Sequence, residues 1–98
     1  MPLVSRLGDI GIGVDTCCQY SPTLTGIIIS SSPTLTANNI SIARVTDLVL
    51  STCGNIGIIV SGCSDVSTNG LSPARIGDIF SGCFNGTIIT GSSNVNCN

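Results

Sequence analysis

Two kinds of residue in this chain could do chemistry: six cysteines and three Arg-x-x-Asp tetrapeptides. The tetrapeptides are Arg6-Leu7-Gly8-Asp9, Arg44-Val45-Thr46-Asp47 and Arg75-Ile76-Gly77-Asp78, and they hold all three basic residues of the chain. There is no His, so neither a Ser/His/Asp nor a Cys/His catalytic set can be assembled. No carboxylate pair stands out for acid–base work. Arg and Asp three apart near a strand end pair with each other or bond neighbouring backbone, so Arg6, Asp9, Arg44, Asp47, Arg75 and Asp78 are expected to be structural. The glycine-rich run Gly8-Asp9-Ile10-Gly11-Ile12-Gly13 lacks Lys and a following helix, so it is not a phosphate loop. Thiolate chemistry remains. Four thiolates suit a tetrahedral Zn²⁺ or iron site, provided the fold brings them together.

The elements that must position them are repeats. Aligning Gly26–Asp47 with Gly57–Asp78 matches Gly26/Gly57, Ile27/Ile58, Ile28/Ile59, Ser30/Ser61, Asn38/Asn69, Ser41/Ser72, Ala43/Ala74, Arg44/Arg75 and Asp47/Asp78. A third copy opens at Gly86-Thr87-Ile88-Ile89-Thr90-Gly91 and stops at Asn98. Its missing half is at the other end of the chain, because Met1 aligns with Asn39 and Gly70. Asn98 followed by Met1 thus continues the repeat in register. An open stack of repeats needs distinct caps, and none is visible.

Each module reads as β. Gly26-Ile27-Ile28-Ile29-Ser30 and its counterparts are short β-branched runs between Gly and Ser. Asn69-Gly70 is a two-residue hairpin signal, and Asn38-Asn39 a weaker one. No window carries a helical apolar stripe with caps. The expected fold is all-β: one domain over 1–98, a small conical three-sided β-prism with pseudo-threefold repeats and adjacent termini.

Three connecting loops are expected between the modules, over 10–25, 48–56 and 79–85, and each carries cysteine. In a closed threefold fold they leave one end of the prism and meet on its axis. Cys17, Cys18, Cys53 and Cys83 are therefore expected to bind one zinc or iron ion at the apex. The alternatives are two disulfides, or a single ligand from the adjacent Cys17 and Cys18. Cys63 and Cys97 align with small residues of the other modules and are expected as buried thiols.

Composition narrows the function classes. Charged residues make up 8% of the chain and the net charge is −2, which argues against nucleic acid. No apolar run approaches the length needed to span a bilayer as a helix. The start, Met1-Pro2-Leu3-Val4-Ser5-Arg6, lacks the apolar stretch of a signal peptide. Synthesis in a cytoplasm that keeps thiols reduced is therefore the expectation.

The segment Leu71-Ser72-Pro73-Ala74-Arg75-Ile76-Gly77-Asp78, then a Cys loop, then Gly86-Thr87-Ile88-Ile89-Thr90-Gly91-Ser92, resembles the PAAR-repeat proteins. These are spike-tip proteins of contractile injection machines, in phage tails and type VI secretion systems. Pro73-Ala74-Arg75 keeps a shortened form of the family motif; Ile42-Ala43-Arg44 and Val4-Ser5-Arg6 are degenerate. The resemblance implies a non-enzymatic, membrane-piercing cone with a metal near its apex. Its base would sit on a trimeric β-helical spike protein, one copy per trimer, and its target would be a cell envelope, with no small-molecule substrate. It would act in a virion tail spike or at a secreted injection tip. Family members hold the metal with His and Cys together, and here the ligands would have to be Cys. The alternative function is a hydroxyl-rich β-solenoid binding ice or another ligand, through Thr23-Leu24-Thr25 and Thr34-Leu35-Thr36. A rubredoxin-like electron carrier lacks its paired Cys-x-x-Cys loops.

Overall fold

The structure, a computed structural model, describes residues 3–18, 23–31, 36–37, 40–63, 72–92 and 95. Eight strands run in the order β1 (Ile10–Asp15), β2 (Thr23–Ile28), β3 (Thr36–Ala37), β4 (Ile40–Ser41), β5 (Leu48–Ser51), β6 (Ile56–Ile59), β7 (Ile79–Gly82) and β8 (Phe84–Ile88). Six of them close a barrel in the order β1-β2-β5-β6-β7-β8, antiparallel throughout, and β3 pairs separately with β4. Closure leaves the barrel strands without a free edge.

Each connecting segment, together with the start of the module that follows it, forms one hairpin of the barrel: β1–β2, β5–β6 and β7–β8. The described residues of the segments expected as loops are therefore mostly strand. The reason is alternation. β5 and β6 place every second side chain inward, and glycines in Ile10-Gly11-Ile12-Gly13 and Asn55-Ile56-Gly57 disguise the inward positions as loop composition. In the short β3–β4 pair Thr36 stands opposite Ser41 and Ala37 opposite Ile40; Asn38-Asn39, like Asn69-Gly70, lies outside the described residues.

The pseudo-threefold relation is visible in the backbone. Three isolated bridges join Val4 to Arg75, Arg6 to Ile42 and Arg44 to Pro73. Each links the position two before an arginine to the arginine of a neighbouring module. Between them runs a three-membered ring of hydrogen bonds: Ser5 N–H to Ala74 O (2.9 Å), Ala74 N–H to Ala43 O (2.9 Å) and Ala43 N–H to Ser5 O (3.0 Å). Ser5, Ala43 and Ala74 are all fully buried, so the axis here accepts only the smallest side chains. The two ends of the chain run side by side, with Val4 N–H donating to Val95 O and Ser92 N–H to Val4 O. The pairing of Asn98 with Met1 lies outside the described residues.

Symmetry breaks in the core. Ile28, Ile59 and Ile88 are equivalent and buried. The set two residues after the tetrad aspartates is Gly11, Val49 and Phe80. Phe80 fills space that a side chain on Gly11 would occupy: a Cβ there would lie 2.5 Å from Phe80 Cε2. Phe80 packs against Phe84 with ring centroids 4.8 Å apart and the ring planes tilted by 44°. Towards the hairpin tips, glycines face each other across β1–β8 (Gly13 and Gly86) and β6–β7 (Gly57 and Gly82), so neighbouring backbones approach closely and the bore fills with main chain.

The outward positions form a belt. Ile10 stands opposite Ile27, Leu48 opposite Ile58, and Ile79 opposite Thr87. These equivalent pairs are flanked by Ile89, Ile29 and Val60, whose N–H groups donate to Ile10 O, Leu48 O and Ile79 O. Only Thr87 among these nine outward positions is not a large aliphatic residue.

Candidate functional site

Each Arg-x-x-Asp tetrapeptide is a tight turn closed by an Asp N–H to Arg O bond of 2.9–3.0 Å. Its third residue has positive φ: Gly8 at 88°, Thr46 at 82° and Gly77 at 93°. The aspartate folds back over its own arginine. Asp47 Oδ2 accepts Arg44 N–H at 2.7 Å and Nε–H at 3.2 Å. Asp9 and Asp78 do the same for Arg6 and Arg75. The six residues form three intramodule ion pairs.

A third residue completes each clamp. Ser30, Ser61 and Thr90 hydroxyls donate to Oδ1 of Asp47, Asp78 and Asp9 at 2.9–3.0 Å. The same hydroxyls accept the N–H of Leu48, Ile79 and Ile10, the first residue of a barrel strand. Arg6 and Arg44 reach on to the carbonyls of Gly91 and Ser31. Each clamp therefore ties the start of one hairpin to the end of the preceding repeat run. The hydroxyls were missed in the sequence, although the Ser30/Ser61 identity was a usable signal.

At the opposite end the hairpin tips converge, as the cysteine spacing implied. Their chemistry differs. Cys17 is disulfide-bonded to Cys83 and Cys18 to Cys53, with Cα–Cα distances of 5.2 and 6.3 Å. Adjacent cysteines on the β1 tip thus clasp the two other tips, one each. The expected zinc or iron ion on Cys17, Cys18, Cys53 and Cys83 is overturned: the four sulfurs are consumed in covalent pairs. Among the described residues no group of three or more His, Cys, Asp or Glu could hold a metal. A disulfide sulfur is no thiolate donor, so these residues do not fit the ion that the family resemblance implies. Cys63, fully buried, is likewise disulfide-bonded and not a thiol. Cys97 lies outside the described residues. Reduced thiols were expected, whereas the fold sets cysteines of different hairpins at bonding distance.

Asp15 lies beneath this double clasp, fully buried. Its carboxylate accepts Ser51 Oγ–H at 2.7 Å, Asn55 Nδ2–H at 3.0 Å and the Cys17 N–H at 3.0 Å. Burial alone would raise its pKa. The bonds from Ser51, Asn55 and the backbone of Cys17 and Cys18 outweigh that and hold the carboxyl below the ordinary aspartate value. Ser51 Oγ in turn accepts the N–H of Cys53 and Asn55. One carboxylate thus organises the turns that carry three of the four clasp cysteines or pack beside them. Nothing in the sequence marked Asp15, because it sits where the modules differ in length.

The described residues thus form a closed pseudo-threefold β-barrel, clamped at one end by Arg–Asp–hydroxyl triads and clasped at the other by two disulfides. A family model described as PAAR motif matches residues 19–83, and the chain belongs to that family. The family consists of structural spike tips of contractile injection systems. No curated protein matches the chain.

Proposed function

We propose that this chain is the sharp tip of a membrane-piercing spike, seated by its base as one copy on the end of a trimeric β-helical spike protein. The observation that carries the reading is the cyclic bridge set Val4–Arg75, Arg6–Ile42 and Arg44–Pro73. It gives a single chain three near-equivalent sides at one end, the symmetry that a trimeric partner presents. The ion pairs are satisfied within each module, so docking rests on apolar and backbone groups and not on charge steering. The apex, pinned by Cys17–Cys83 and Cys18–Cys53, points at the target envelope. Working outside the cytoplasm, in a virion tail or at a secretion tip, suits disulfides, which persist in oxidising surroundings.

The test is stoichiometry. Native mass spectrometry with the partner's terminal β-helix is expected to show one tip per three spike chains. A ratio of three to three, or no complex, overturns the reading. The hydroxyl-array alternative gains no support: Thr23 and Thr25 are exposed on β2, but Thr34 lies outside the described residues.

A further inference from the structure

We propose that the aliphatic belt around the barrel is a lipid-contacting surface that takes the acyl chains of one membrane leaflet. The inference rests on the spike-tip reading and names the part of the envelope that the tip touches. Single exposed aliphatic residues are ordinary on soluble proteins; a nearly unbroken ring of them is not. Val60, Ile27 and Ile79 are 54%, 50% and 49% exposed, and Ile58, Ile89 and Ile29 are 46%, 45% and 42%.

Three observations select hydrocarbon as the occupant. First, the belt recurs on all three sides, so whatever covers it surrounds the molecule; a single globular partner would leave two sides bare. Second, the belt carries no charge to desolvate. The described charged residues are the six of the tetrads, paired at the base, and Asp15, buried under the apex. An uncharged belt fits an uncharged medium. Third, the strands beneath it close a barrel, and lipid tolerates only backbone whose polar groups are internally paired.

Height decides between leaflet and bilayer. From Ile27, on β2, to Ile29, just past its end, the belt rises about 7 Å at roughly 3.3 Å per residue. One leaflet offers about 15 Å of hydrocarbon, half of the roughly 30 Å core. Nearer the tips the outward positions turn mixed, with Thr25, Ser81 and Asn85 beside Ile12, Leu50 and Ile56. The belt therefore fits within one leaflet and is too short for two.

The probe is a vesicle of uncharged phosphatidylcholine. Wild-type protein is expected to partition into it with little dependence on salt. The triple variant Ile58→Thr, Val60→Thr, Ile79→Thr keeps β-branching and is expected to lower the partition coefficient about tenfold. Should that variant fail to fold, Thr25→Ile extends the belt and is expected to raise partitioning about threefold. The chain has no Trp, so Val60→Trp reports depth: quenching by brominated acyl chains is expected near the headgroup end of one leaflet. Wild type that stays in water, binding that requires anionic lipid, or belt variants that change only self-association would each overturn the inference, the last in favour of a second copy. Binding to the trimeric spike is measured on the same samples. Intact spike binding without lipid partitioning removes this inference alone, while failure to bind the spike removes the tip reading.

Discussion

Ser30 Oγ donates to Asp47 Oδ1 at 2.9 Å while accepting the N–H of Leu48 at 2.9 Å. That hydroxyl couples a buried ion pair to the first residue of a barrel strand, and Ser61 and Thr90 repeat it. Asp47→Ala removes the acceptor of the Arg44 backbone and side chain together. It leaves a largely buried guanidinium without its anion, so a loss of about 3 kcal/mol in chemical denaturation is expected. Arg44→Ala, which leaves the aspartate its backbone and serine donors, is expected to cost less, about 1–3 kcal/mol. Equal midpoints for wild type and both variants would show these side chains to be merely solvated.

Thr46 occupies a left-handed position, φ 82°, that its counterparts fill with Gly8 and Gly77. A β-branched residue there is strained by about 1–2 kcal/mol. Thr46→Gly is expected to raise stability by about 1 kcal/mol, the strain relief exceeding the added chain entropy of glycine. Gly77→Thr should do the reverse, since its Cβ meets no atom within 4 Å and only the backbone objects. A Thr46→Gly variant less stable than wild type contradicts the account.

Gly11 and Phe80 share one volume. Gly11→Val alone is expected to cost at least about 3 kcal/mol through overpacking. Combined with Phe80→Val, which vacates the space, the penalty should shrink well below the sum of the two single changes. A double-mutant cycle measures this coupling, and additivity would mean that the two residues do not compete.

The apex clasp predicts no free thiol at the tips and a definite connectivity. Non-reducing peptide mapping should recover Cys17 with Cys83 and Cys18 with Cys53. By chain entropy, each of these loops is worth about 4 kcal/mol alone, and less together because they share chain. Reductant is expected to lower the melting temperature sharply, whereas a chelator should leave it unchanged. Stoichiometric zinc or iron in purified protein, lost together with stability on chelation, would return the site to a metal.

Asp15 makes the apex acid-sensitive in a definite direction. Its pKa in the folded chain is below that of the unfolded chain. The unfolded chain therefore binds the proton more readily. The stabilisation is fully present above the ordinary aspartate value near 4, and is lost as pH falls through the lower folded value. Asp15→Asn should reduce the slope of stability against pH in that acid range, measured as a difference from wild type. An unchanged slope would remove Asp15 from the acid response.

Much of this protein was legible as pattern. The triplicated Arg-x-x-Asp with its flanking small and β-branched residues determined the closed threefold β fold, because identical local chemistry repeated three times builds identical turns. It also determined that cysteines of three segments meet at one end, because repeats in register put their variable segments together. Tertiary structure alone decided the rest. Whether four convergent sulfurs hold a metal or pair covalently depends on which two approach, a distance that spacing along the chain does not carry. Asp15 gained its role from Ser51 and Asn55, some 36 and 40 residues away in sequence, brought to it only by barrel closure. Gly11 looked like loop composition until Phe80 came to occupy its place. The outward belt emerged last: only the strand register shows which aliphatic residues face solvent and that they join around the molecule.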